Sequence, residues 1–207
     1  MKLLDMLRNK IKYSKKIMLF LTIIVIIGII TGSFLSVALN SNDKVLITDN
    51  IKSFIENISN INNIDILKNT ILINIILIVG IWILGISVIG LLIVILLVFW
   101  KSFTLSFTIA SFILTYNLKG LLLAFIYIFP HLIINLLVIM YLGSYSIKFS
   151  ILIIKCIVNK VNLNLKKLMI IYLKVLIISL IIISITSLFE AYITPNLLKL
   201  IAPLILK

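Results

Sequence analysis

Residues Asn69–Trp100 read NTILINIILIVGIWILGISVIGLLIVILLVFW, thirty-two residues without a formal charge. About twenty mostly apolar residues span the roughly 30 Å hydrocarbon core of a bilayer. Ile17–Leu39, Ser102–Leu118, Gly120–Ile147 and Val175–Phe189 are uncharged as well. A chain that is 63% hydrophobic and 12% charged would expose large apolar patches as a soluble domain. An all-α, polytopic transmembrane helix bundle is therefore expected, with lipid covering the apolar side chains. Residues 1–207 are expected to form a single transmembrane domain. The longest polar stretch, Asn40–Thr70, is too short to fold alone.

Ile71–Trp100 is too long for one upright helix, since thirty residues rise about 45 Å. Gly80, Gly85 and Gly90 mark a helix that tilts or breaks. The chain could turn near Gly90, which buries Lys101 in the next span, or at Lys101, which keeps it at the interface. A lone lysine at the bilayer centre costs about 2.5 kcal/mol or more. That favours a turn at Lys101 with a kink between Gly85 and Gly90. Spans are then expected at 17–39, 71–100, 102–118, 120–142 and 168–194. Between them lie a polar extracytoplasmic loop, 40–70, and a basic interfacial segment, 148–167.

The net charge of +13 comes from clusters beside apolar spans. Six basic residues precede the first span (Lys2, Arg8, Lys10, Lys12, Lys15, Lys16) and five lie between Lys148 and Lys167. This is the positive-inside pattern, not a nucleic-acid surface. It predicts an inside N-terminus and an outside C-terminus. Residues 1–38 have a basic start, and Ser36-Val37-Ala38 loosely resembles a cleavage site. The apolar stretch exceeds a normal signal-peptide core, so retention as a first span is expected.

Gly28, Gly32 and Ser36 recur every four residues, as do Ser102, Ser106 and Ala110. Small residues at that spacing let helices approach closely. In the polar loop, Ile51, Phe54, Ile55, Ile58 and Ile61 recur at helical spacing, with Asp49 as a candidate N-cap. An amphipathic helix is expected there. It rests on the outer membrane surface or offers Ile51, Phe54, Ile55 and Ile58 to a partner. Pro130 predicts a kink in the fourth span, and Pro195 ends the fifth. Trp82 and Trp100 suit interface anchoring, although Trp82 is deep enough to be a packing residue.

Intramembrane enzymes need paired acids, a nucleophile with its base, or metal ligands. The chain has one histidine, one cysteine and no Asp in any expected span. No catalytic role, metal site or cofactor is expected, and Cys156 is expected to be an inert thiol at the inner interface. His131 follows Pro130, whose missing N–H frees the Ile126 carbonyl. It reads as a structural polar plug in preference to a proton relay. Glu190 reads as an interfacial carboxylate. Helix rise puts His131 near mid-bilayer and Glu190 nearer the surface, so direct pairing is not expected.

The run Trp82-Ile83-Leu84-Gly85-Ile86-Ser87-Val88-Ile89-Gly90 resembles the W-x-x-G-x-S-x-x-G run of the stage II sporulation protein M family. Lys101-Ser102-Phe103 and Ser106-Phe107-Thr108 resemble its Lys-Gly-Phe and Gly-Phe-Thr elements. Pro130-His131 resembles its Pro-His or Pro-Gln pair, and Glu190-Ala191-Tyr192-Ile193-Thr194-Pro195 resembles its Glu-Ala-Tyr-x-Thr/Ser-Pro. Ser102 and Ser106 stand where the family usually has glycine, and Asn135 where broader relatives often carry a glutamate. The resemblance implies a non-enzymatic anchor in the engulfing mother-cell membrane. It would recruit the peptidoglycan-cleaving stage II sporulation proteins P and D. The alternative is a small transporter or lipid-handling protein that uses His131 and Glu190.

Overall fold

The computed structural model describes residues 2–57, 62–128, 131–159 and 165–205. Eight helices follow one another there: α1 (Lys2–Ala38), α2 (Ser41–Asn57), α3 (Asn63–Ile86), α4 (Gly90–Tyr116), α5 (Leu118–Ile128), α6 (His131–Asn159), α7 (Leu165–Tyr192) and α8 (Thr194–Ile205). Five are long and apolar enough to cross a membrane: α1 from Lys15, α3, α4, α6 to Val158, and α7 running on into α8. The protein is an all-α polytopic bundle.

The long apolar run breaks at Ser87–Ile89. Ser87 takes an extended backbone, φ −97° and ψ 144°, and its N–H meets the Leu84 carbonyl at 3.0 Å. Gly90 then opens α4 against the Leu84 backbone, where a Cβ would overlap the carbonyl. Of the two possible turns, the one near Gly90 is adopted. The spans expected at 71–100 and 102–118 are instead 63–86 and 90–116. Lys101 therefore lies mid-helix, about 16 Å along α4, and Trp100 is 56% exposed at the same depth, not at an interface. Lys101 is only half buried there and shares a cavity wall with the polar side chains of Thr108, Tyr127 and Asn135.

The fourth crossing also shifts. Residues 118–128 form the short α5, and the crossing helix is α6. The expected Pro130 kink lies outside the described residues. α6 continues through Lys148 and Lys155, so the segment 148–167 is not a separate interfacial helix. By helix rise Lys148 lies about 26 Å and Lys155 about 36 Å from His131, near and beyond the roughly 30 Å of a hydrocarbon core. At the other end of α7, Pro195 does not stop the helical run, which continues as α8. Ile193 N–H meets the Phe189 carbonyl at 2.9 Å, and Leu197 N–H meets the Ile193 carbonyl at 3.0 Å. Proline is tolerated in the first turn of α8, where its missing N–H has no intrahelical partner.

In the loop, α2 starts at Ser41, with Lys44 N–H on the Asn40 carbonyl, so Asp49 sits inside the helix and is not its cap. Asn62 caps α3 through Ile64 N–H at 3.1 Å.

Contacts between helices set their directions. Gly28, Gly32 and Ser36 meet Ser102, Ser106 and Ser111 in that order, so α1 and α4 run parallel. Ser146 and Ser150 donate to the carbonyls of Ile81 and Gly85, so α3 and α6 run parallel. Tyr172, Ser187 and Glu190 meet Trp82, Asn74 and Thr70, so α7 opposes α3. We term the end where α1 begins proximal, and the opposite end distal. α6 is the central helix: 56% of its apolar window is buried, against 22–28% in the other four. Leu21, Val94, Val98 and Ile139 join α1 and α4 to it.

A second core closes the distal end. Ile55 of α2, Phe112 of α4, Leu123 and Ala124 of α5 and Leu198 of α8 are buried together. Ile51 and Phe54 pack against them, and the Phe54 ring meets Tyr127 edge-on at 5.8 Å.

Candidate functional site

The residues singled out in the sequence gather in three places. The proximal turn holds Trp82, Gly85, Ser87 and Gly90. Trp82 stacks on Tyr172 at 5.6 Å, and Tyr172 donates to the Trp82 carbonyl at 2.8 Å. Gly85 is obligatory because Tyr172 Oη and Ser146 Oγ occupy the space of a side chain. Ser150 donates to the carbonyls of Gly85 and Ser87, at 2.8 and 3.0 Å. These bonds satisfy carbonyls freed at the end of α3. The motif is thus a helical turn fastened to α6 and α7.

The second place is the α1–α4 seam. A Cβ at Gly28 would strike Ser102 Oγ and the Phe99 carbonyl, and one at Gly32 would strike Ser106 Oγ and the Phe103 carbonyl. Ser106 hydroxyl also reaches the Gly28 carbonyl at 3.4 Å, and the Ser36 and Ser111 hydroxyls meet at 3.1 Å. The two small-residue stripes pack on each other at Ser102 and Ser106, and Ser111, where Ala110 was expected, is the residue that meets Ser36. In lipid, such close packing and hydrogen bonding hold helices together.

The third place carries the polar chemistry. His131 is the first described residue of α6 and lies in the distal half, beside Thr194 at the start of α8. There it meets Glu190, with Nε2 3.9 Å from Oε2, a pairing that the helix-rise estimate had argued against. Its Nδ1 lies 3.5 Å from the Thr194 hydroxyl, and Tyr127 meets its ring edge-on at 6.2 Å. Glu190 is not a solvated interfacial carboxylate. It accepts from Thr70 at 3.4 Å, and only 20% of its side chain is exposed. Tyr127, which meets the His131 ring, shares a cavity wall with Lys101 and Asn135. Nearby, Thr186 donates to Asn135 Oδ1, and Asn74 donates to Ser187 at 3.3 Å.

Of the remaining expected residues, Pro195 is buried, Tyr192 is 45% exposed, and Ile58 lies outside the described residues. Ile51, Phe54 and Ile55 are turned into the distal core, so the face expected to meet a partner is covered by the chain's own α4, α5 and α8. Thr70, Asn74 and Thr186 were not among the expected site residues, although polar side chains inside apolar runs are the signal that marks them.

A helical turn fastened by Trp82, Gly85, Ser87 and Gly90, followed by His131 facing Glu190, is a layout specific enough to test against known families. The sequence model of Stage II sporulation protein M matches residues 17–195. The chain belongs to that family. The matched region covers all three clusters, from Gly28 to Pro195. No curated protein and no solved structure matches the chain.

Proposed function

We propose that this Stage II sporulation protein M family member is a non-enzymatic membrane scaffold for engulfment. It would hold the peptidoglycan-cleaving stage II sporulation proteins P and D at the engulfing mother-cell membrane. The match over residues 17–195 carries the reading. The lysine asymmetry along the sequence favours a distal end facing the cell exterior. There, α2, α5 and α8 form a cap over the crossing helices. With Ile51, Phe54 and Ile55 turned inward, docking falls to the cap's outer surface. That surface includes Val45 and Leu46 of α2, which are 58% and 62% exposed.

Affinity purification of the tagged protein from sporulating cells, followed by identification of co-purifying wall hydrolases, tests this. Both hydrolases should be recovered, and Val45→Asp with Leu46→Asp should lose them without loss of the scaffold. Recovery of neither from the wild type refutes the reading.

A second reading, that of a small transporter or lipid-handling protein, is favoured by one observation. Lys101, His131 and Glu190 gather inside the bundle, where ionisable groups are expensive and tend to mark ligand or ion sites.

A further inference from the structure

A cavity of about 200 Å³ lies between α4, α5 and α6, with Lys101, Thr108, Tyr127 and Asn135 on its wall. Lys101, Thr104, Thr108, Tyr127 and Leu136 are only half buried. The cavity is therefore open on the flank of the bundle that lipid would cover. Among the described residues no hydrogen bond or ion pair holds the Lys101 ammonium. Asn135 Oδ1 is occupied by the Thr186 hydroxyl, which leaves the Asn135 amide N–H groups as donors. Glu190 stands just beyond Tyr127: it faces His131, which meets the Tyr127 ring edge-on. His131 Nε2 is buried and has no hydrogen-bond partner, since 3.9 Å to Glu190 exceeds bonding range.

Lys101 on the cavity wall and Glu190 behind Tyr127 and His131 thus stand in one cluster, with no ion-pair contact between them among the described residues. A ligand that is only anionic meets repulsion from Glu190, and one that is only cationic meets repulsion from Lys101. A dipolar ligand satisfies both. Lysine is a common phosphate binder acting as a point charge, and here Tyr127 and Asn135 add hydrogen-bond donors.

We propose that Lys101 and Glu190 are the two poles of a binding site for a phosphate–ammonium zwitterion, as in an ethanolamine phospholipid headgroup, entered sideways from the bilayer between α4, α5 and α6. The phosphate lies at Lys101, with Tyr127 and Asn135 donating to it. The ammonium points to Glu190. The volume suits a headgroup, with the acyl chains remaining in the surrounding lipid. This goes beyond the scaffold reading and does not depend on it.

The test uses the purified full chain in detergent, stripped of lipid, then given phosphatidylethanolamine or phosphatidylglycerol, with retention read by native mass spectrometry. At least tenfold preference for the ethanolamine lipid is expected. Lys101→Gln and Glu190→Gln should each lower retention at least tenfold, and Lys119→Gln, exposed at the distal end, should not change it. Free phosphoethanolamine should displace the lipid. If it binds where the lipid does not, the zwitterion site stands and its ligand is soluble. Equal retention of the two lipids, or retention unchanged in both charge variants, overturns the proposal. If the charge variants fail to accumulate, Leu105→Phe fills the cavity without touching a charge, and a folded Leu105→Phe protein that binds the ethanolamine lipid normally also overturns it.

Discussion

His131 Nε2 stands 3.9 Å from Glu190 Oε2, at the point where the start of α6 meets the last turns of α7. With Thr70 on the carboxylate and Thr194 on the imidazole, the pair joins α3, α6, α7 and α8. His131→Gln keeps a hydrogen-bonding group and should leave the unfolding temperature of the detergent-solubilised protein within a few degrees of wild type. His131→Leu removes both polar contacts and should destabilise by about 1–3 kcal/mol. Equal stability of the two variants would show that the imidazole is not part of the joint.

At the α1–α4 seam, Gly32 faces the Phe103 backbone, which cannot rotate away from an added side chain. Gly32→Leu and Ser106→Leu should each cost about 1–3 kcal/mol by overpacking and lower accumulation in membranes. Gly80 has open space around it, so Gly80→Ala should be neutral or slightly stabilising. Wild-type abundance of Gly32→Leu would place that face toward lipid.

The proximal turn offers a milder test. Tyr172→Phe keeps the ring stacked between Trp82 and Phe149 but loses the bond to the Trp82 carbonyl. A loss of about 0.5–1.5 kcal/mol is expected. Gly85→Val should be more severe, because it displaces Tyr172 and Ser146 together. Calorimetric unfolding of the two variants checks the order, and Gly85→Val as stable as Tyr172→Phe would contradict it.

Ile55 is 2% exposed, so α2 is anchored to the bundle by its apolar face. Phe54→Ser with Ile55→Ser should loosen the cap and speed proteolysis between α1 and α3. Lys52→Ser, on the exposed face, should not. Unchanged proteolysis in the double variant would mean that α2 is held by other contacts.

How much of this was legible follows from where each signal lies along the chain. The two small-residue stripes are local patterns and were readable, as was the amphipathic face of α2. What covers that face was not, because Phe112, Leu123 and Leu198 carry no mark linking them to Ile55. The turn at Ser87–Ile89 was one of two candidates. The turn at Lys101 looked cheaper because a lysine inside a span is expensive, and the Ser150 bonds that fasten the Ser87–Ile89 turn come from α6, remote in sequence. The helix α8 was missed because Pro195 reads as a terminator, whereas in a first turn it is harmless. The His131–Glu190 contact was not legible because His131 and Glu190 are remote in sequence and meet only through the packing of α6 on α7.

The account rests on five crossings with the α2, α5 and α8 cap outside the cell and the Ser87–Ile89 turn inside. Single cysteines at Ser41, Asn117, Asn196 and Ser87 in a Cys156→Ser background, treated in intact cells with a membrane-impermeant thiol reagent, test it most directly. Positions 41, 117 and 196 should label in intact cells, and position 87 only after permeabilisation. Labelling of position 87 in intact cells, with 41, 117 and 196 protected, would contradict the topology and remove the external cap on which the scaffold function depends.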